Sequence, residues 1–595
     1  MSHRDLVASC LRQGTSFQTF VLLFSLAVAS PNGARSLAQA ASDDSGTIHG
    51  VVLNSVTHEP IARALVSSPN NRFATLTNSE GQFEFRLPTA DNSPSDSSGP
   101  VPGPGQSIRS ASLMARKPGF LSDPNYQQNN LQNRASKELT LMLTPEALIV
   151  GTVTLPTTEA PDTITLEIFR RDVQDGRAHW AQAGNTQSMS DGQFRFANLP
   201  AGTYKLLTRE LLDRDPLTID PLASDPFAPD AWGPLLGYPP VFYQSAPDFR
   251  SADTIQLAAG QTQTVALSLV KQPYYRVKVP VIATVADPPN ALSVDVYAHG
   301  HKGPGFSLGY NNAHHAIEGM LPSGTYTLEA SSAGQNGLTG MQTINIKGAP
   351  IEGPGITLVP NGSIPVYVKE EFTSADHTGG KDPAINGPRG YLKVTLESAD
   401  DFGVGRNVAL RDPAGPQDEA LVLDGAPAGS YWVEVRSARG YPASIRSGNL
   451  DLQHRPLVAG AGGGAAPIEI TMRDDTAEVS GIVEGITRPA QGAGGPGPDN
   501  GPSRMHVYCV PLADSSGQFA QGGVHPDGTF DVRGLAPGTY RVLAFEGGAR
   551  EFEYRNPEAM QAYESKGAVV RVAGGQKERV QLQLISMSIP GTDQQ

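Results

Sequence analysis

One short phrase recurs four times along the chain and limits what it can fold into. It reads Leu199-Pro200-Ala201-Gly202-Thr203-Tyr204, then Leu321-Pro322-Ser323-Gly324-Thr325-Tyr326. It returns as Ala426-Pro427-Ala428-Gly429-Ser430-Tyr431 and as Leu535-Ala536-Pro537-Gly538-Thr539-Tyr540. The tyrosines lie roughly 105–122 residues apart, about one immunoglobulin-sized β-sandwich per interval. Proline presets φ for the second position of a turn, and the glycine beside it relieves the backbone strain of a sharp reversal. The residue before the turn ends one strand on the core side. The tyrosine opens the next strand with its ring inward and its hydroxyl near a polar partner. Each phrase is therefore expected to be a structural turn between two antiparallel strands, not one of four ligand sites.

Two further units repeat. Asp191-Gly192-Gln193-Phe194-Arg195-Phe196 precedes Leu199, and Asp527-Gly528-Thr529-Phe530-Asp531-Val532 precedes Leu535. Glu80-Gly81-Gln82-Phe83-Glu84-Phe85 precedes Leu87-Pro88 in the same way. Asp-Gly ahead of alternating apolar residues is a hairpin-turn signal. Residues 255–270 (IQLAAGQTQTVALSLV) and 570–585 (VRVAGGQKERVQLQLI) alternate apolar and polar positions around a Gly-Gln. That pattern gives two half-buried strands joined by a tight turn.

These repeats, in 595 residues with 64 glycines and 49 prolines, predict an all-β fold of many short strands. The expected architecture is a tandem array of about five immunoglobulin-like β-sandwich domains after a signal peptide. The expected units are 46–145, 146–271 with a long loop over 211–249, 272–360, 361–476, and 477–587. The last holds a short helix over 557–566, with Asn556 as cap, Pro557 at the first helical position and Gly567 as terminator.

The first unit carries Gly46-Thr47-Ile48-His49-Gly50-Val51-Val52, Pro60-Ile61-Ala62-Arg63-Ala64-Leu65-Val66 and Thr77-Asn78-Ser79-Glu80-Gly81-Gln82-Phe83 in that order. It continues, after a polar insertion to about residue 106, with Ala111-Ser112-Leu113-Met114-Ala115-Arg116-Lys117-Pro118-Gly119-Phe120. These strings resemble the carboxypeptidase regulatory-like domain, a transthyretin-like β-sandwich. The resemblance covers 46–145, and the later units share mainly the hairpin and turn phrases. It implies an accessory sandwich and not a peptidase: His58-Glu59 is followed at the fourth position after His58 by Ala62, so no H-E-x-x-H zinc motif is present.

Arg4 and Arg12, the apolar run 20–29 (FVLLFSLAVA) and Ala38-Gln39-Ala40 form a secretory signal pattern over 1–40. The run is too short for a stable membrane anchor. The expectation is an exported protein that is periplasmic, cell-surface or extracellular, without stable membrane insertion. A net charge of −14 argues against nucleic acid as a partner. Cys10 falls in the signal, which leaves Cys509 in an apolar strand with no disulfide partner.

Catalytic patterns are sparse. Gly305-Phe306-Ser307-Leu308-Gly309 matches G-x-S-x-G, but the flanking residues supply neither the strand nor the helix of a nucleophile elbow. Neighbours on a strand point to opposite faces, so His314-His315 is not a zinc pair. The G-x-G-x-x-A string 460–465 precedes a strand where a dinucleotide site needs a helix. No metal, cofactor or catalytic residue is therefore expected. The candidate ligand-binding residues are Trp232, Tyr238, Phe242 and Tyr243, an aromatic group on the long loop of the second unit. The expected function is a secreted, non-catalytic scaffold or interaction protein that meets protein or glycan at the cell envelope. The alternative is a carbohydrate- or peptide-binding accessory module, and a serine hydrolase through Ser307 is the remote option.

Overall fold

The computed structural model describes residues 47–67, 74–86, 113–121, 138–156, 163–213, 235–284, 289–332, 337–373, 387–402, 408–415, 418–460, 462, 464–486, 505–512, 515–546 and 552–585. The signal pattern over 1–40, Leu87-Pro88 and Trp232 lie outside the described residues.

Strand follows strand along the chain, and the alternation seen in sequence sets which side is buried. On Ala147–Thr154 every second residue from Ala147 is buried, as on Ala477–Glu484. Five apolar cores result, one each around Val52 and Leu141, Ile149 and Leu206, Val279 and Leu328, Leu396 and Ile470, and Val479 and Val542. The expected tandem all-β array is what forms.

The five units share one topological rule. The first strand of each pairs in parallel with the last. Thr47–Asn54 lies beside Glu138–Leu143, and Ala147–Thr154 beside Thr262–Ser268. Gln272–Ala283 lies beside Ile351–Glu352 and Ile356–Pro360, Gly362–Glu371 beside Ile468–Arg473, and Ala477–Glu484 beside Lys577–Ile585. A parallel pair cannot be closed by a tight hairpin. The chain must leave the first sheet, build the second and return, so the first and last strands lie side by side and the chain enters at one end of the unit and leaves at the other.

That rule corrects the expectation for the turn phrase. The strands it joins do not pair with each other. Gln193–Leu199 pairs with Ala147–Thr154, whereas Gly202–Thr208 pairs with Thr165–Gln174 in the opposite sheet. The joined strands are likewise unpaired with each other at Ala316–Pro322 and Gly324–Ser331, Leu421–Ala426 and Gly429–Ser437, and Thr529–Leu535 and Gly538–Glu546. Each phrase is an arch between strands that are not ladder neighbours: in the second and fourth units they lie in separate sheets, and in the third and fifth they are distant strands of one continuous sheet. The tyrosine holds it: Tyr204 donates to Pro200 O at 2.6 Å, Tyr326 to Pro322 O at 3.2 Å, Tyr431 to Pro427 O at 3.0 Å and Tyr540 to Ala536 O at 2.6 Å. All four rings are buried. The bond satisfies a hydroxyl that would otherwise be stranded in the core, and it fixes the corner.

The first Gly-Gln turn is an arch as well, whereas both strands flanking the second pair with Gly538–Glu546. Ile255–Leu257 pairs with one sheet and Thr262–Ser268 with the other. In both copies the glutamine closes the turn through its side chain: Ala258 N–H donates to Gln261 Oε1 at 2.8 Å, and Ala573 N–H to Gln576 Oε1 at 2.9 Å. The helix is shorter than expected and runs Pro557–Gln561, capped by Asn556 as anticipated. Beyond it, Tyr563, Glu564 and Lys566 donate to carbonyls three residues back, so the chain tightens into turns. Met560 and Tyr563 pack on the outer face of the fifth unit's sheet and not on its edge.

Connections between units are minimal. Only Thr144, Pro145 and Glu146 separate the last strand of the first unit from the first strand of the second. Asn361 alone separates the third from the fourth. Such links hold neighbouring sandwiches in direct contact.

Candidate functional site

The long loop of the second unit turns inward. Leu211–Leu212 and Leu236–Tyr238 pair with each other, and the second of these pairs with Gln272–Ala283, the first strand of the third unit. Tyr238 is 1% exposed and joins the second unit's core, and Phe242 is 3% exposed. Tyr243 is half-buried and packs on the same core. The candidate binding face therefore fails at Tyr238 and Phe242. Two large rings on one short segment gain more by covering apolar surface than by facing water. Phe242 and Phe249 instead build a second apolar cluster with Phe169, Trp180 and Leu207, completed by Phe402 of the fourth unit. Phe249 and Phe402 meet edge to face at 5.0 Å.

What reaches outward is the hairpin formed by Thr165–Gln174 and Arg177–Gln187. Its turn, Asp175-Gly176, has φ of 47° and 75°, the two positive values of a type I′ turn, which Asp-Gly favours. The Asp-Gly signal of this turn stands in the sequence as Val173-Gln174-Asp175-Gly176-Arg177. The tip is wedged between the fourth and fifth units. Arg436 donates to both Asp175 oxygens at 3.1 Å and to Glu434 at 2.9 Å. Arg555 Nε donates to Asp175 O at 2.9 Å. Arg171 forms a two-pronged ion pair with Glu553, with one prong at 2.8 Å. Gly176 is required at this place: a Cβ there would lie 2.7 Å from the Tyr554 ring. Tyr554 in turn stacks on Phe519, with centroids 3.8 Å apart and planes at 8°. Arg177 lies over the Trp432 ring at 3.9 Å. Burial first, then the charge of Arg555, hold its guanidinium down at about 10.

The wedge frames a cleft of about 990 Å³ walled by three units. Arg177 comes from the second unit, Trp432 and His454 from the fourth, and Phe519, Arg541 and Tyr554 from the fifth. Sequence reasoning missed these residues because the cleft exists only where three sandwiches meet. Beside it, Asp175, Glu397 and Glu434 bring one oxygen each within 4.8 Å of one another. Burial, then the like charges of Asp175 and Glu434, raise the Glu397 carboxyl above its ordinary value. Arg436 already bridges Asp175 and Glu434, so the trio acts as part of the interdomain ion network.

Ser307 is engaged by a carboxylate of the second unit. Its hydroxyl donates to Glu210 Oε1 at 2.6 Å and its N–H to the same oxygen at 2.9 Å. That carboxylate belongs to the neighbouring unit, so the pair joins the second unit to the third. Gly305 of the same string has φ of 142°, and a Cβ there would lie 3.1 Å from Pro240. The G-x-S-x-G match is a close approach between the second and third units. His314 and His315 lie in the turn between Gly309–Asn311 and Ala316–Pro322, where His314 meets Glu318 at 3.1 Å. The 460–465 stretch leads into the strand Ile468–Arg473, as its reading as a loop requires. Cys509 is buried, and burial pushes its thiol up to about 12, which leaves it inert at neutral pH.

No family model matches the chain, and no curated protein does. Among solved structures it is similar to the Bacillus anthracis TIE protein, at 9% identity over 74% of each chain with a TM-score of 0.14. It is similar to two B repeat units of the collagen-binding protein CNA of Staphylococcus aureus, at 13% identity over 72% of this chain and 99% of that one, TM-score 0.13. It is also similar to the full-length RrgB pilus protein of Streptococcus pneumoniae, at 10% identity over 75% of this chain and 99% of that one, TM-score 0.12. Likeness at this level names no family, and the all-β architecture stands on the chain's own strand pairing. Among the described residues no helix is long and apolar enough to cross a membrane.

Proposed function

We propose that the protein is an exported, non-catalytic scaffold of the cell envelope, built to hold several β-sandwiches in one fixed arrangement and to act through its surface. The observation that carries this reading is the wedge. Asp175 is held by Arg436 and Arg555, so the second sandwich is tied to the fourth and fifth across most of the chain. A structure that spends ion pairs and aromatic packing on interdomain geometry is suited to presenting a rigid surface. Ser307 is already committed to Glu210, which favours a role without turnover. The resemblance of 46–145 to carboxypeptidase regulatory-like domains fits the same accessory role.

The cleft favours a second reading, a module that binds an extended glycan or peptide. Its wall combines Phe519 and Trp432 with the guanidinium of Arg541, a mixture suited to ligands with apolar and polar faces. Glycan and peptide arrays probed with the exported chain separate the two readings. Binding that is lost in His454→Ala and Arg541→Ala but kept in Tyr367→Ala, whose ring is exposed elsewhere, selects the cleft. Binding insensitive to the cleft variants selects the scaffold. N-terminal sequencing should place the start of the exported chain near Ala41, and recovery of the intact Met1 terminus in the cytoplasm would overturn export. Hydrolysis that disappears with Ser307→Ala would overturn the non-catalytic reading.

A further inference from the structure

Glu210 of the second unit meets Ser307 of the third at the rim of their seam. Its Oε1 takes both hydrogen bonds from Ser307. Its Oε2 is screened from solvent and has no hydrogen-bond partner among the described residues. The Tyr274 hydroxyl is likewise buried and unpartnered. Both groups belong to one face of the short sheet that stitches the units together. Glu210 alternates with Leu212, Leu212 pairs with Gly237, and a Cβ on Gly237 would lie 2.8 Å from Leu212 and 3.0 Å from the Tyr274 ring.

The charged and titratable groups around Glu210 are few. Arg209 precedes it and makes its own ion pair with Glu167 at 3.2 Å. Tyr274 comes from the first strand of the third unit, and Tyr326 from Gly324–Ser331. Burial first, and then the field of Glu210, hold both phenols above their ordinary range. No lysine, arginine or histidine forms an ion pair with Glu210 among the described residues. A carboxylate oxygen shut away from water with no hydrogen-bond donor is costly, and a proton lowers that cost by removing the charge.

We propose that Glu210 is protonated when the seam between the second and third units is closed, so that the seam is a pH-sensitive latch that loosens as pH rises. Desolvation raises this carboxyl from its ordinary 4.5 to about 7, against the opposing hydrogen bonds from Ser307 and the charge of Arg209. The sign follows from linkage. The closed seam binds a proton that the open, solvated one has released, so closure is favoured at low pH. That preference is lost progressively from about pH 4.5 and levels off above about pH 7. With these two values, the open-to-closed ratio should rise on the order of a hundredfold between pH 4.5 and pH 8.

The test is hydrogen exchange at the Ser307 amide and its neighbours over 302–311 in the full chain, with the intrinsic pH dependence of exchange divided out. The wild-type protein should show the rise, and Glu210→Gln, which mimics the neutral acid, should flatten it. Equal pH profiles in the two would overturn the latch. Should Glu210→Gln fail to fold, Ser307→Ala decides. It removes a bond that favours the charged carboxylate, so the midpoint must move above its wild-type position, and an unmoved or lowered midpoint would overturn the proposal. A role in packing alone shifts exchange at every pH and leaves the profile's shape unchanged.

Discussion

Two excursions leave the second sandwich, and they exchange the roles that their compositions suggest. The loop over 211–249 carries the aromatics, yet Tyr238 and Phe242 are buried. The hairpin tip Val173–Arg177 is polar, yet it makes the contacts that reach the fourth and fifth units. Aromatic rings on a long loop gain by returning to apolar surface, and the loop becomes mortar between units. A stiff two-stranded ribbon with a tight Asp-Gly turn projects without such return, and its charged tip finds partners at a distance. In this chain an aromatic cluster marks an internal joint, and a polar hairpin marks an external one.

The largest effect that would break this contrast is at the loop. Tyr238→Ala and Phe242→Ala should each cost about 3–5 kcal/mol, the usual cost of deleting a buried aromatic, read by urea unfolding followed through the second unit. A change within about 0.5 kcal/mol would mean that the rings face solvent after all. Next is the hairpin tip. Gly176→Val combines a positive φ of 75° with a clash on Tyr554 and should cost on the order of 1–3 kcal/mol. Small-angle scattering should then show a larger radius of gyration while circular dichroism keeps its β signature. An unchanged radius would show that the wedge does not hold the units together.

A smaller change calibrates both against the repeated arches. Tyr431→Phe keeps the ring and removes the bond to Pro427 O, so it should cost about 1 kcal/mol in the fourth unit and leave scattering unchanged. Smallest of all is Arg436→Ala. The side chain of Arg436 is 64% exposed, and exposed ion pairs contribute about 0–1 kcal/mol. Its signature should be a weaker salt dependence of the compact arrangement. An effect as large as that of Gly176→Val would mean that charge, and not shape, secures the hairpin tip.

The arches were legible because each is local. Pro200, Gly202 and Tyr204 sit within one turn, and the tyrosine bonds a carbonyl four residues back, so the phrase carries its own instructions. Its partner strands were not legible. An Asp-Gly or Pro-x-Gly turn reads the same whether the chain doubles back within a sheet or crosses to the opposite one, and the choice falls to the parallel pairing of strands such as Ala147–Thr154 and Thr262–Ser268. The helix was placed correctly at its start, where Asn556 and Pro557 act locally, and too long at its end, where packing of Met560 and Tyr563 took over.

Sequence alone determined that this chain is a series of β-sandwiches, because alternation, turn chemistry and the tyrosine corners are contacts between residues a few positions apart. Tertiary structure alone decided where the sandwiches touch. The partners of Asp175, Phe249 and Ser307 are Arg436 and Arg555, Phe402, and Glu210. Each is distant in the chain and unremarked by any local pattern. Whether such residues face water or a neighbouring unit depends on how five bodies on three-residue or shorter links can pack, and no short stretch of sequence encodes that.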